Sequence, residues 1–186
     1  MRNFLRIAQN VNVSPLAHAL IRNPHLWNAD EFRTTFPGTP HIDVDDILLR
    51  FSDTTKCDTT TKVIGDDFPI WLPAAETLFP HCADIVFGLM REIRAYQLDR
   101  LIVSRIRPGG QILAHADNEG AYVNTDDRAR YHVAIQGYPG SLYHCGSETV
   151  QMLTGEIWWF NAHEVHSIQN NSVEDRIHLL VDVRTR

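Results

Sequence analysis

Between residues 100 and 183 turn signals cut the chain into eight short segments with strand character: 100–107, 111–116, 130–137, 141–145, 148–153, 156–161, 164–169 and 175–183. The cuts are Pro108-Gly109-Gly110, Gly137-Tyr138-Pro139-Gly140, Cys145-Gly146-Ser147 and Thr154-Gly155, residues that preset φ or tolerate positive φ in tight turns. Short strands at this spacing point to a jelly roll or barrel.

The earlier part of the chain has a different rhythm. Residues 1–40 read as helical and irregular. Ser14-Pro15 predicts a helix start, with Ser as N-cap and Pro at the first helical position. Leu16, Ala19 and Leu20 follow at helical spacing and Asn23-Pro24 stops the run. A second short helix is expected over Leu26 to Phe32, then a loop at Phe36-Pro37-Gly38-Thr39-Pro40. Val44 to Phe51 reads as a strand, Ser52 to Lys62 as a polar loop, Phe68 to Pro73 as extended and Ala74 to Phe79 as a helical turn. The clearest helix is predicted from Ala83 to Leu98, where Ile85, Val86, Leu89 and Ile93 form one apolar stripe suited to a sheet face. The expected organisation is one domain over 1–186: a helical and irregular buttress with early strands over 1–98, and a β-barrel carrying the site over 99–186.

Composition narrows the class. Hydrophobic residues make up 44% and charged residues 22% of 186, ordinary values for a globular chain. No apolar run approaches the ~20 residues needed to cross a bilayer, and the start, Met1 to Arg6, lacks the apolar stretch of a secretory signal. A net charge of -6 argues against a nucleic-acid partner. Cys57, Cys82 and Cys145 are an odd number without CxxC spacing. They fit a reducing compartment, and the cytoplasm is the expected location.

The chemistry concentrates at Leu113-Ala114-His115-Ala116-Asp117. On a strand, a His and a carboxylate two residues apart point to the same face. A distant His on a facing strand would complete a two-His-one-carboxylate set, which holds Fe(II) and leaves positions open for a chelating co-substrate and O2. Asn161-Ala162-His163-Glu164-Val165-His166 offers two histidines for that role. Alternation sorts the other strands as well. Ile102, Ser104 and Ile106 share a face, with Arg105 and Arg107 on the other. Arg130, His132 and Ala134 share a face, as do Arg176, His178 and Leu180, whereas Ile177, Leu179, Val181 and Val183 form a wholly apolar face suited to packing beneath the long helix. Periodicity alone leaves the Arg and His faces solvated; a barrel would instead turn them toward its mouth, where a dicarboxylate needs a buried Arg.

The stretch Ser104-Arg105-Ile106-Arg107-Pro108-Gly109, with His115, Arg130-Tyr131-His132, Cys145-Gly146-Ser147-Glu148-Thr149, Gly155-Glu156, Phe160, His166, Arg176 and Leu180-Val181-Asp182-Val183, is similar to the aspartyl/asparaginyl β-hydroxylase family of 2-oxoglutarate- and Fe(II)-dependent dioxygenases. Ser104 precedes His115 by eleven positions and Arg176 follows His166 by ten, spacings found in that family. The likeness covers under half of the chain well; before it, only Leu26-Trp27-Asn28 and Arg33 match loosely. The resemblance implies a mainly β double-stranded β-helix (a jelly-roll or cupin-like barrel) buttressed by N-terminal helices. It implies metal ligands at His115 and His166, and Asp117 fits the carboxylate ligand of the wider superfamily, which some family members lack. By resemblance, Arg176 pairs with the distal carboxylate of 2-oxoglutarate, Ser104 hydrogen-bonds it, and Arg130 and His132 lie near its metal-chelating end. Fe(II), 2-oxoglutarate and O2 are the implied cofactor and co-substrates. The implied reaction is hydroxylation of an aliphatic C–H of an amino acid or peptide side chain, with release of succinate and CO2.

Other residues are weighed against this frame. The stretch 116–129 is longer than in the hydroxylases and carries Gly120, so it is a candidate substrate lid, with Tyr122 and Asn124 as candidate contacts. Arg107, at a strand end, is a candidate for an anionic substrate group. Ile106, Ile112, Trp158 and Phe160 are candidates for an apolar mouth. The ten-residue spacing to Arg176 favours His166 over His163; His144 and His178 read as ordinary strand histidines, and Cys145 as packed. Asp43, Asp45 and Asp46 read as a solvated acidic face without the spacing of a calcium loop. The competing functions are a cupin-like metal enzyme that does not use 2-oxoglutarate and a non-catalytic jelly-roll binding module.

Overall fold

Strand alternation divides this chain into a greasy outer layer and a polar-lined interior. The computed structural model describes residues 2–53, 69–117 and 127–185. The described strands form two antiparallel sheets. The larger has the spatial order β1 (Phe4–Ala8), β9 (Ile157–Phe160), β6 (Arg128–Gln136), β11 (Arg176–Arg184), β4 (Gln97–Ile106), β2 (Val44–Phe51), β3 (Ile70–Trp71). The smaller has the order β5 (Gln111–His115), β10 (His166–Asn170), β7 (Ser141–Cys145), β8 (Glu148–Val150). Neighbours in each sheet are mostly distant in sequence, so the chain crosses repeatedly between them. The two sheets are the halves of a double-stranded β-helix, as expected.

On the outer face of the large sheet lie Ile47, Leu49, Leu101, Val103, Tyr131, Val133, Leu179, Val181 and Val183. They pack against Leu16, Ala19 and Leu20 of helix α1 (Ser14–Arg22) and Ala75 and Leu78 of a later helix (Ala74–Leu78). Val86 and Leu89 of the helix Ala83–Glu92 complete the layer. Each Val, Leu or Ile side chain so buried contributes roughly 1.5–3 kcal/mol. On the inner face Val44, Ile106, Ala134 and Phe160 meet Ile112, Tyr143, Cys145 and Ile168 of the small sheet. Sheet crossing is tight at Gly137, where a Cβ would lie 2.2 Å from the Met152 carbonyl oxygen.

Several elements differ from expectation. Between α1 and β2 the chain makes a single 3-10 turn, Pro24–Leu26, and then α2 (Phe32–Thr35), in place of one helix over Leu26 to Phe32. Asn28 causes the break: it sits at φ 58, its side-chain amide donates to Asp45 Oδ1 at 2.6 Å, and its Oδ1 accepts from the Asp46 amide at 3.0 Å. These bonds clamp the loop to β2. The helices Ala74–Leu78 and Ala83–Glu92 are α3 and α4. α4 stops at Glu92, six residues earlier than its periodicity predicts, because Arg94 adopts φ 55 and Ala95 donates to the Met90 carbonyl at 2.8 Å. Beyond that reversal the alternating burial of β4 takes over. α1 starts with Val13 rather than Ser14 as its cap, and Ser14 instead donates its amide to Asn12 Oδ1 at 3.2 Å. β1 lies in a segment expected to be helical or irregular; it is an edge strand held by pairing Phe4 with Phe160. β1, β2 and β3 all belong to the large sheet, so the N-terminal segment supplies barrel strands as well as buttressing helices. No described helix is long and apolar enough to cross a membrane.

Leu179, fully buried at the centre of the outer face, tests this layering. Leu179→Ala is expected to lower the unfolding free energy by about 2–5 kcal/mol in denaturant titration.

Candidate metal centre

The pairing of β5 with β10 places His166 directly opposite His115, with ring centroids 4.3 Å apart. Asp117 lies just past the end of β5, where its amide donates to the Ala162 carbonyl at 2.9 Å. Its Oδ1 is 3.6 Å from His115 Nε2. One ligand atom from each of His115, Asp117 and His166 falls within 4.8 Å of the others, a set able to hold a metal ion. Each ring's Nδ1 donates to a carbonyl two residues back, Leu113 at 2.8 Å and Glu164 at 2.9 Å. A carbonyl can only accept, so Nδ1 carries the proton and Nε2 keeps its lone pair for the centre. Burial pushes His166 down to about 4 and lowers His115, in both cases against the pull of Asp117. Both rings are thus neutral and ready to ligate near pH 7. Burial would raise the Asp117 carboxyl, but the Arg130 guanidinium, with His166 and His115 behind it, outweighs burial and holds it below the usual range.

Deeper in the barrel is a second polar group. Arg176 is 3% exposed, and its Nη2 donates to His178 Nδ1 at 3.0 Å. It has no carboxylate partner among the described residues, and burial lowers it to about 10. Because His178 Nδ1 accepts, His178 carries its proton on Nε2, and that buried nitrogen has no hydrogen-bond partner among the described residues. Ser104, directly across from His178 on β4, has an equally unanswered buried Oγ. Arg176, two residues along the same face, is its diagonal neighbour. Asp46, on the far side of Ser104, leaves Oδ1 unanswered and pairs Oδ2 with Arg33. His132 is buried beside this group, with Nδ1 3.3 Å from His178 Nδ1 and Nε2 3.5 Å from the Tyr143 hydroxyl. His178 is therefore a member of this buried polar group and not a solvated strand histidine. The face it shares with Arg176 was the signal in the sequence.

Arg130 joins the first group to Asp182. It donates Nε to Asp182 Oδ1 at 2.7 Å and Nη2 to Asp182 Oδ2 at 2.9 Å, and Nη1 to Asp117 Oδ2. A cavity of about 410 Å³ opens over His115, Asp117 and Arg130, walled by Phe32, Phe36, Pro40, Phe51 and Ile102 and flanked by Arg33, Arg100 and His41. The His41 ring packs edge-on to His115 at 5.3 Å. Most of this wall comes from before residue 52, where the sequence carries no motif that marks it.

Of the other weighed positions, some differ from expectation and some stand as expected. Arg107 lies on the outer side of β4, exposed, with its Nε donating to Asp45 Oδ2 at 3.1 Å. It lines no part of this cavity. Asp45 collects Arg105 as well, and Asp46 is 1% exposed, so these two acids are ion-paired and not a solvated face. Ile106, Ile112 and Phe160 are interior core and do not form the mouth. His163 is exposed, and His144 bonds Thr149 away from the cluster. Tyr122 and Asn124, and most of the stretch 116–129, lie outside the described residues, as does Cys57.

A double-stranded β-helix with two histidines and a carboxylate at its mouth defines the class of non-haem iron oxygenases. Residues 55–186 match the family described as aspartyl/asparaginyl beta-hydroxylase, and the chain belongs to that family. It is a 2-oxoglutarate-dependent hydroxylase that uses Fe(II), 2-oxoglutarate and O2. The donor set fits this chemistry: neutral imidazoles and one carboxylate at the mouth, and a carboxylate-free guanidinium with unanswered donors below. Among solved structures, the fold is similar to an oxidoreductase of the 2OG-Fe(II) oxygenase family from Burkholderia pseudomallei, with 16% identity, TM-score 0.56, and 90% of this chain and 78% of that one covered. It is also similar to AviO1 from Streptomyces viridochromogenes Tue57 (11% identity, TM-score 0.57, 98% and 90% covered). A prolyl-4-hydroxylase from Pseudomonas putida is a third (12% identity, TM-score 0.56, 100% and 94% covered). No curated protein matches the chain in sequence.

The buried histidines set an acid limit on stability. Burial, with Arg176 beside them, pushes His132 and His178 well below the ordinary histidine range. The unfolded chain takes up these protons below about pH 6.5 while the fold does not, so stability is complete above that pH and falls below it. Denaturant titrations of the metal-free protein between pH 7 and 5 are expected to show this loss. His178→Asn should make the slope shallower by up to about 1.4 kcal/mol per pH unit.

Proposed function

We propose that His115, Asp117 and His166 hold the Fe(II), that Arg176, Ser104 and His178 receive the distal carboxylate of 2-oxoglutarate, and that the substrate is an amino acid or a peptide side chain hydroxylated at an aliphatic C–H. The observation that carries this reading is the Arg176 group: a buried guanidinium with no carboxylate partner among the described residues, beside an imidazole N–H and a hydroxyl that are likewise unpartnered there. Burying such a charge unanswered costs several kcal/mol, and a dicarboxylate co-substrate answers it. A cupin-like enzyme that dispenses with 2-oxoglutarate has no use for this arginine.

With metal and co-substrate bound, O2 would be the oxidant and 2-oxoglutarate would give two electrons as it loses CO2 to become succinate, one oxygen atom entering the substrate C–H bond and the other succinate. The protein's residues orient and enclose. Arg176 gives the carboxylate a charge-assisted partner, which fixes the far end of the co-substrate. His132 supports His178, whose Nε2–H adds a second donor. The three ligands come from one side, leaving the cavity side open to substrate. Phe32, Phe36, Phe51 and Ile102 keep water from that side. The cavity volume of about 410 Å³ suits a single amino acid or one inserted side chain. Support for a cytoplasmic location comes from Cys82 and Cys145, both buried free thiols.

Succinate release measured against a panel of amino acids and short peptides tests the reading. Arg176→Ala is expected to raise the KM for 2-oxoglutarate by about ten- to a hundredfold, the worth of one charged hydrogen-bonded pair. An unchanged KM in that variant, or turnover independent of 2-oxoglutarate, would sink it.

A further inference from the structure

We propose that Arg130 is a positioning residue that aims the Asp117 carboxylate at the metal and is itself locked by Asp182, rather than a contact for the co-substrate. The proposal rests on the reading of Asp117 as a ligand.

The geometry divides the groups cleanly. Arg130 on β6 faces Asp182 on β11 as a direct cross-strand pair. The pair is bidentate, Nε to Oδ1 at 2.7 Å and Nη2 to Oδ2 at 2.9 Å, which fixes the plane of the guanidinium as well as its position. Asp182 is 3% exposed on the central strand of the large sheet, with Arg100 as its cross-strand neighbour on the other side. The third arm of the fork, Nη1, therefore has a set direction, and Asp117 Oδ2 lies on it. Asp117 Oδ1 is the oxygen left toward His115 Nε2.

Asp117 needs such a hold. It sits past the last residue of β5, beyond the strand ladder, and a free aspartate turns about two side-chain torsions. Arg130 removes that freedom before any metal arrives. A lysine could supply the charge but not the fixed fork. Partners of this kind behind a ligand are typically worth about 10–100-fold in metal affinity.

The test is Co(II) affinity of the metal-free protein, followed by visible absorption with no 2-oxoglutarate present. Arg130→Gln is expected to weaken Co(II) binding by about 10–100-fold, and Arg130→Lys not to restore it. The combined variant Arg130→Gln with Asp182→Asn removes the charge from both partners, so no carboxylate is left buried without its guanidinium and the variant guards against misfolding; it should bind Co(II) as weakly, with an unfolding midpoint near that of the parent. Adding Arg130→Gln to Asp117→Ala should weaken binding no further, because the arginine acts through the aspartate. Normal Co(II) affinity in Arg130→Gln, joined to weaker 2-oxoglutarate binding by the loaded protein, would overturn the proposal and return Arg130 to the co-substrate. Normal Co(II) affinity in Asp117→Ala would overturn the ligand reading itself, and the proposal with it.

Discussion

A guanidinium taken out of water must be answered by an anion, and the interior of this barrel is arranged around that requirement. Arg33 is answered by Asp46, and Arg130 by Asp182 and Asp117. Arg100 lies across from Asp182 and beside Ser52. Arg176, the most deeply set of them, meets an imidazole and the face of Tyr143 but no carboxylate among the described residues. The carboxylate end of 2-oxoglutarate is the proposed answer to this imbalance, with the unpartnered His178 Nε2 and Ser104 Oγ beside it. The metal ligands then stand at the mouth of the same interior, as they must if one small dicarboxylate is to reach from the metal to Arg176.

The N-terminal segment does more than shield the outer face. Asn28 clamps its loop to β2 through both its amide groups, and this carries α2 and the following turn over the mouth. Arg33, Phe32, Phe36 and His41 reach the cavity from there. The same loop explains Asp45: by drawing in Arg105 and Arg107 it neutralises the outer side of β4, and Trp27 stacks on Arg105 at 4.3 Å. The described wall of the cavity thus comes mainly from a part of the chain without a recognisable motif, while the three candidate ligands come from the barrel.

Much of the barrel was legible because a two-residue period is a strong constraint. It sorted Ser104, Arg176 and His178 onto one face and Leu179, Val181 and Val183 onto the other, and the structure keeps that division. The spacings from Ser104 to His115 and from His166 to Arg176, which carry the family resemblance, each span a crossing from one sheet to the other. What could not be read are contacts between segments far apart in sequence. Asp46 looked solvated because its partner Arg33 lies on another element, and Arg107 looked like a site residue until Asp45 claimed it. The Asp117–Arg130–Asp182 chain joins three strands' worth of sequence and leaves no local pattern. α4 was drawn too long because helical and strand periods overlap between Ile93 and Leu98, and only the left-handed Arg94 decides between them.

The claim everything else depends on is that His115, Asp117 and His166 hold an iron that shares 2-oxoglutarate with Arg176. Anaerobic addition of Fe(II) and 2-oxoglutarate to the metal-free protein measures this most directly, since chelation of the iron by the 2-oxo acid gives a visible charge-transfer band. The expected result is a saturable band in the parent protein that is absent from His166→Ala. No band in the parent, or an undiminished band in His166→Ala, would contradict the account.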